Sequence, residues 1–379
     1  MLDSKIWKGV ESLLDSYAKV NPEDKVVLAY TSDSYESAIW VCAALELRNI
    51  PVDRVWMAPI KDDSFVDRFI STLPSPKDIT GRLLILTFER DTMSHTLDIA
   101  TALSKYEKHQ YAVFRAISAS PSLFTDAMQA LPEELSARNA TILSRCVSAK
   151  YLHIKTKAGT DIKVTLDSKK HRWISNRGTT RPGGMTILPS GEVATFPASV
   201  SGIYVADFAF NVNTITSRDV RLHNHPVTIW IEEGRAVHYH CNDSLINEFL
   251  EECFSTHCSY NVGELGFGTN YGVIDAIPMN SHINERRPGV HLGFGQHNQD
   301  SSVVGYQCSI HLDLIARGGL VWIDDDPTPL DLEHIVSSEQ PHPNNCRDED
   351  VFSPEALDPN REDCCGILTN NCLLSLKSP

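Results

Sequence analysis

The sequence has no apolar run long enough to cross a membrane, no CxxC pair and no excess of positive charge. Its apolar stretches, such as the one within 83–88, are far shorter than the roughly 20 residues of a transmembrane helix. Lys and Arg total 34 against 49 Asp and Glu, a net charge of −15. This balance argues against nucleic acid or an anionic membrane as the main partner.

The ten cysteines show no regular spacing, and residues 1–20 have the apolar periodicity of an amphipathic helix rather than of a secretory signal. We therefore expect a cytoplasmic protein whose thiols are reduced. Cys364, Cys365 and Cys372 lie in a polar tail, where we expect exposed thiols without a specific role.

The first part of the chain alternates short apolar runs with helical patterns. Strands are predicted at 25–30, 52–60, 82–89 and 111–117, with helices between them, and this order is typical of a parallel α/β sheet. The turn after the first strand reads SDSYES and carries no GxGxxG motif, so a dinucleotide site is not supported.

From about residue 150 the pattern changes to short alternating runs separated by Gly, Asn and Pro, which is typical of antiparallel strands. We predict an α/β domain with a parallel sheet over 1–148, followed by an α+β metal-binding domain rich in antiparallel strands over 149–326. Residues 327–379 are acidic, contain several cysteines and have little periodicity, so an extended or disordered tail is predicted there.

Four segments of the second half place carboxylates and imidazoles beside glycines: LPSGEVATFP, GELGFG, NERRPGVHLGFGQHN and SIHLDL. In a strand, His311 and Asp313 are two residues apart and point to one face. Imidazole and carboxylate ligands suit Zn, Co, Mn or Fe, and the flanking glycines let the backbone approach closely. His223 with His225, and His238 with His240, have the same spacing and are weaker candidates because they lie in charged, edge-like strands.

Residues 150–325 resemble the metal domain of the metalloaminopeptidases related to aminopeptidases T, S and II, through the AGTD, LPSGEVATFP, GELGFG, VHLGFG and HLDL segments. The resemblance implies a two-metal site and a dimeric architecture. Its metal ligands would be Glu192, Glu264, His291, His311 and Asp313. Glu285 lies near a further acidic ligand of the family, at a spacing that is one residue longer.

The sequence departs from this family at one position, because Asn298 stands where the family has a tyrosine seven residues after the ligand histidine. His297 precedes it, and Tyr306 is too far along the chain for a simple replacement. The departure puts ordinary peptide hydrolysis in doubt, or leaves a polarising or ligand role to His297.

The 2,5-dihydroxypyridine dioxygenases share this scaffold and hold one Fe(II) through two histidines and one aspartate. The resemblance to them matches His311 and Asp313, but Glu264 stands where the third ligand, a histidine, is expected. The sequence therefore favours the hydrolase, although His291, His311 and Asp313 could form a two-histidine, one-carboxylate iron site.

We accordingly predict a metal-dependent amide hydrolase that removes an N-terminal aminoacyl group from a peptide or small conjugate. Metal-activated water would attack the carbonyl, with Glu192 and Glu264 near that water and Glu285 or His297 moving the proton. The expected cofactor is a divalent ion (Zn, Co, Mn or Mg). The alternative is an Fe(II) ring-cleaving dioxygenase, and a further alternative is a non-catalytic binding protein on an enzyme scaffold.

Overall fold

The computed structural model describes residues 4–90, 93–214 and 216–343, together with the backbone of 347–348. Its strands, in chain order, are β1 Lys25–Tyr30, β2 Val52–Trp56, β3 Leu83–Phe88, β4 Tyr111–Ala116, β5 Tyr151–Lys155, β6 Asp161–Thr165, β7 Trp173–Asn176, β8 Met185–Leu188, β9 Glu192–Thr195, β10 Ser199–Ala206, β11 Ala209–Val212, β12 Val227–Glu232, β13 Arg235–His240, β14 Val262–Gly268, β15 Gly289–Gly295, β16 His311–Ile315, β17 Leu320–Ile323, β18 Leu330–Asp331 and β19 Arg347–Asp348.

The α-helices of the described residues are α1 Ser4–Ser12, α2 Tyr35–Leu47, α3 Phe65–Thr72, α4 Thr96–Leu103, α5 Pro121–Thr125, α6 Pro132–Cys146, α7 Ser244–Cys253, α8 His282–Glu285 and α9 Ser301–Val304. The amphipathic helix predicted for 1–20 is α1, continued by a π-helical turn at Leu13–Tyr17. None of the described helices is both long and apolar enough to span a membrane.

The chain forms two compact units. Within the described residues, the first contains the chain up to Glu133 and Gly178–Ser190, and the second contains Glu134–Arg177 and Gly191–Asp348. Each unit has its own hydrophobic core.

The first unit is built on a five-stranded parallel sheet in the order β2-β1-β3-β4-β8. The sequence Leu-Leu-Ile-Leu-Thr-Phe of β3 is buried throughout, as expected for a parallel strand covered on both faces. The α/β prediction with a parallel sheet is thus confirmed.

The second unit contains two seven-stranded sheets: the second sheet of the protein, β13-β12-β10-β6-β5-β17-β18, and the third sheet, β11-β16-β15-β14-β9-β7-β19. Their strands pair antiparallel, apart from β19, which runs parallel to β7. Side chains from both sheets, among them Tyr204 and Leu292, share one core. The predicted antiparallel-rich second half is confirmed.

The units differ from the predicted domain boundary at 148 in two ways. Helix α6 belongs mostly to the second unit, because Ile142, Leu143 and Cys146 are buried in its core. The chain then returns to the first unit, where β8 becomes the fifth parallel strand beside β4. Of the predicted tail, the structure describes 327–343 and the backbone of 347–348, and its last three cysteines lie outside the described residues.

The expectation that all cysteines are reduced is wrong at one pair. Cys258 and Cys308 form a disulfide across 50 residues, with their Cα atoms 5.6 Å apart. Cys258 lies shortly before β14, and Cys308 lies shortly before β16. Cysteine spacing alone could not reveal this bond, because the two residues approach each other only once the third sheet has formed.

Candidate metal centre

One face of the third sheet carries the predicted metal ligands. Its strands β16, β15, β14 and β9 lie side by side, and alternate residues of a strand point to opposite faces. Leu265, Leu292 and Leu314 are paired across these strands and join the hydrophobic core. Glu264, His291 and Asp313, each one residue away, therefore project from the other face.

Glycines on this face leave the space in which the ligand side chains meet. A methyl group at Gly293 would lie 2.9 Å from Asp313 Oδ1 and 3.0 Å from His311 Cε1, and one at Gly266 would overlap the imidazole of His291. Both distances are shorter than a carbon can tolerate without displacing its neighbours. The glycines of GELGFG and VHLGFG are thus required for the ligands to converge.

The five predicted metal ligands come together in two groups that share one carboxylate. Within each group the ligand atoms lie within 4.8 Å of one another, and all five residues are buried. The first group is Glu192, Glu264 and His291, and the second is Glu264, His311 and Asp313.

Arg286 supplies an internal positive charge to the first group. Its Nη1 forms an ion pair with Glu192 Oε2 and lies 3.0 Å from Glu285 Oε1. The Arg286 side chain is only 1% exposed, so this pairing is made away from solvent. This ion pair could not be predicted, because nothing in NERRPG tells which of the two arginines turns inward.

The charges of the first group stabilise each other. Burial alone would raise the pKa of Glu192, but Arg286 and His291 outweigh it and hold that pKa at about 2. Burial would likewise lower the pKa of His291, whereas the two neighbouring carboxylates raise it well above its ordinary value. Its Nε2 lies 2.9 Å from Glu192 Oε1 and 3.5 Å from Glu264 Oε1.

The second group has the features of an open ligand set. His311 Nδ1 donates to the carbonyl oxygen of Gln296 at 3.2 Å, which orients the ring so that Nε2 lies 3.1 Å from Asp313 Oδ1. Among the described residues, none donates a well-directed hydrogen bond to this buried oxygen. Such an acceptor is normally satisfied by a donor, a water or a metal ion.

Burial and charge set the protonation of the second group. Burial, together with the charge of Glu192, raises the pKa of Glu264. Burial also opposes ionisation of Asp313, but His311 more than offsets it and keeps that pKa well below its ordinary value. A bound cation would favour the charged form of both carboxylates.

Glu285 lies beside the two groups rather than within either. It ends α8, and Asn211 Nδ2 donates to its Oε2 at 3.0 Å. Burial raises its pKa well above the ordinary value, which favours its protonated form. His282, at the start of α8, was not predicted as a site residue; burial and then the charge of Arg286 lower its pKa to about 3.

Asn298 contacts the ligand that both groups share. Its Nδ2 donates to Glu264 Oε2 at 3.1 Å, and its Oδ1 accepts from Gln299 Nε2 at 2.6 Å. The residue that departs from the aminopeptidase pattern therefore holds one oxygen of Glu264 in place.

The structure does not bring His297 into either group. Its Nε2 donates to the carbonyl of Tyr306 at 2.8 Å, and its Nδ1 accepts from the backbone N–H of Gln299 at 3.3 Å. Both ring nitrogens thus hold the loop after β15. The candidate pairs at 223/225 and 238/240 also form no such group among the described residues.

Comparison with known proteins finds similarity to two kinds of enzyme. A family model described as 2,5-dihydroxypyridine 5,6-dioxygenase (NicX) matches residues 108–285, which is less than half of the chain. The matched range includes Glu192, Glu264 and Glu285 but ends before His291. No curated protein sequence matches.

Two solved structures share the fold. The 2,5-dihydroxypyridine dioxygenase from Pseudomonas putida KT2440 aligns with a TM-score of 0.58 at 16% identity, over 91% of this chain and 100% of that chain. Wild-type AmpT from Thermus thermophilus aligns with a TM-score of 0.52 at 14% identity, over 88% of this chain and 99% of that chain. The chain therefore has the fold common to this dioxygenase and this aminopeptidase, and the buried cluster, with both comparisons, supports a divalent metal ion as its cofactor.

Proposed function

We propose that the protein is an enzyme with one metal position, and that it is an Fe(II)-dependent dioxygenase that opens an electron-rich aromatic ring. One observation carries this proposal: Arg286 already supplies the positive charge that Glu192 needs. A single ligand set then remains for an external ion, formed by Glu264, His311 and Asp313. This reverses the preference for a hydrolase drawn from the sequence.

The residues present fit a divalent first-row ion. Asp313 Oδ1 is buried without a well-directed donor from the described residues, and the hydrogen bond from His311 Nδ1 leaves Nε2 as a lone-pair donor. The set has one imidazole and two carboxylates, where the two-histidine iron triad has two imidazoles and one carboxylate. Bound Fe(II) would supply the redox chemistry by which dioxygen reacts with a ring.

The chain's own residues would orient the ion's ligands and hold a proton. Asn298 fixes Glu264 Oε2, so Oε1 would be the oxygen able to bind the ion. Burial raises the pKa of Glu285 well above its ordinary value, which favours the protonated form of this carboxyl group. It is therefore the group able to hand a proton to a ring-opened product.

The comparisons support a dihydroxylated nitrogen heterocycle as the substrate class. The family match and the dioxygenase structure both concern 2,5-dihydroxypyridine, and the dioxygenase alignment has the higher TM-score of the two. In the proposed reaction one ring carbon–carbon bond breaks and both atoms of dioxygen enter the product, so no external reductant is consumed.

A two-metal amide hydrolase is the second candidate, favoured by one specific observation. Glu264 belongs to both ligand groups, and a carboxylate in that position can bridge two ions about 3.5–4 Å apart. The likeness to AmpT is consistent with this arrangement. A two-metal site would require Arg286 to move away from Glu192, because the second ion would otherwise lie beside a buried guanidinium.

Metal stoichiometry and oxygen consumption separate the two candidates. The full chain is purified anaerobically, loaded with Fe(II), and assayed with 2,5-dihydroxypyridine and related dihydroxylated rings in an oxygen electrode, while a leucine anilide tests hydrolysis. We expect one metal per chain, one dioxygen consumed per ring opened, and loss of both metal and turnover in His311→Ala but not in the surface variant His238→Ala. Two metals per chain with oxygen-independent release of the anilide would establish the hydrolase instead.

We also propose that the protein acts in the cytoplasm as a homodimer. The excess of acidic over basic residues, 49 against 34, argues against an anionic membrane as a partner. Sedimentation of the purified full chain tests the dimer, and fractionation of the source cells tests the location.

A further inference from the structure

Strand β11 lies beside β16, the strand that carries the candidate metal ligands His311 and Asp313. Asn211 is paired with Asp313 in the register of these antiparallel strands. Asn213 follows the end of β11 and is two residues further along, so an extended chain places it opposite His311. The sequence Asn-Val-Asn thus runs alongside His-Leu-Asp, and an asparagine stands beside each of the two ligands.

Asn213 completes the last rung of this pairing with its side chain. Its backbone N–H donates to the carbonyl oxygen of His311 at 3.0 Å, as in a regular ladder. The N–H of His311 donates in return to Oδ1 of Asn213 at 2.9 Å, where a regular ladder would use the backbone carbonyl. His311 is buried, and a buried N–H without an acceptor is costly. The backbone of this ligand is therefore held by the Asn213 side chain.

The amide nitrogen of Asn213 holds the segment that orients the imidazole. Nδ2 donates to the carbonyl oxygen of Ser309 at 2.8 Å and lies 3.4 Å from Oε1 of Gln296. The backbone carbonyl of Gln296 accepts the hydrogen bond from His311 Nδ1, and its N–H donates to the carbonyl of Ile310 at 2.7 Å. Asn213 therefore contacts both the backbone of the ligand and the residue that orients its ring.

Asn280 fixes the backbone on either side of Asn213. Its Nδ2 donates to the carbonyl oxygens of Val212 and Thr214 at 2.7 and 3.1 Å, and its Oδ1 accepts from the N–H of Val212 at 2.9 Å. Asn280 is itself buried. Because the backbone that carries Asn213 is held in this way, its side chain can give His311 a defined position.

We propose that Asn213 is a positioning residue that holds His311 in the orientation needed to bind a divalent metal ion. It acts through the backbone of His311 and through Gln296. Loss of a partner that orients a metal-ligating histidine typically weakens metal binding about 10-fold to 100-fold. The inference rests on the metal position proposed above, formed by Glu264, His311 and Asp313, but not on the dioxygenase reaction.

Titration of the metal-free full chain with Co(II), in competition with a chromophoric chelator, tests this role. We expect Asn213→Ala to bind Co(II) about 10-fold to 100-fold more weakly than the wild type, because the substitution removes the side chain that supports His311. The visible absorption bands of the bound Co(II), which report its ligands and their geometry, should change as well.

Asn247→Ala is the matched control. The side chain of Asn247 also binds backbone groups, because it accepts from the N–H of Cys241 at 2.9 Å and donates to the carbonyl oxygen of the same residue. Cys241 lies outside both ligand groups. We expect this variant to lose stability in urea while its Co(II) affinity and absorption bands match those of the wild type. Circular dichroism shows whether both variants fold.

Hydrogen exchange of the native chain provides a test that needs no variant. The N–H of His311 should exchange slowly with deuterated solvent if Oδ1 of Asn213 accepts its proton, and fast exchange would overturn the proposal. Equal Co(II) affinity and unchanged absorption bands in folded Asn213→Ala would also overturn it, while leaving the metal position intact. A wild-type chain that binds no Co(II) would overturn both the metal position and this inference.

Discussion

Removing Arg286 tests the reasoning on which the single metal position depends. In Arg286→Met, Glu192 keeps only His291 as a positive neighbour, and both groups are buried. Removing one partner of a buried ion pair costs about 3–5 kcal/mol. We expect the metal-free variant to lose about that much of its free energy of unfolding.

The matched control is Arg287→Met, the same substitution at the next residue. Arg287 Nη2 is 3.6 Å from the partly exposed Glu333, and its guanidinium stacks over Phe208. Exposed ion pairs and cation–π contacts are each worth about 1 kcal/mol or less. The two variants should therefore differ by at least about 1 kcal/mol in urea unfolding without metal.

The same variant should gain a second metal ion. Once Glu192 is free of the guanidinium, Glu192, Glu264 and His291 form a second ligand set. Divalent ion at about 100 times its dissociation constant should restore about 2.7 kcal/mol of stability, and elemental analysis should find two ions per chain against one in the wild type. If Arg286→Met unfolds like Arg287→Met, or still binds one ion, Arg286 does not compete with metal and the reasoning fails.

Three further predictions concern other parts of the second unit. Asn298→Leu removes the donor to Glu264 Oε2 and should weaken metal binding about 10-fold to 100-fold in a competition assay; unchanged affinity would show that this hydrogen bond does not position the ligand. Burial lowers the pKa of His171 below 6.5, so the folded state binds its proton less tightly than the unfolded state, and stability should fall as pH drops below 6.5. This slope should shrink in His171→Phe, and an equal slope in both proteins would contradict it. Reduction of the Cys258–Cys308 bond, which spans 50 residues, should lower the free energy of unfolding by about 4 kcal/mol, measured with and without dithiothreitol; an unchanged midpoint would mean that the bond adds no stability.

The convergence of the ligands could be predicted because it depends on strand periodicity. In HLDL and GELGFG, core leucines alternate with site residues. Because successive side chains of a strand point to opposite faces, this alternation predicts which residues share a face even when the fold is unknown. The run GIYVADFAF at 202–210, by contrast, has the alternating pattern of a single strand, but it breaks at 207–208 into β10 and β11, which enter different sheets. No local pattern marks that change of sheet.

Features that depend on tertiary packing could not be predicted. Strand β8 reads Met-Thr-Ile-Leu and is buried throughout, so its sequence does not say which sheet it joins. Arg286 and Arg287 are adjacent and chemically identical, yet one is buried against carboxylates and the other stacks on an aromatic ring. Their directions are set by the end of α8, a four-residue helix whose position depends on the strands beneath it.

The number of carboxylates does not by itself set the number of metal ions at this site. An ion held by Glu264, His311 and Asp313 would leave Glu192 between Arg286 and a protonated His291. A second divalent ion there would meet both cations, and two unit charges 4 Å apart repel by about 4 kcal/mol at an effective dielectric constant of 20. The ion must therefore expel the guanidinium or take the proton of His291 before it can bind. On this reasoning the residue at 286, more than the shared Glu264, decides between a one-metal and a two-metal centre.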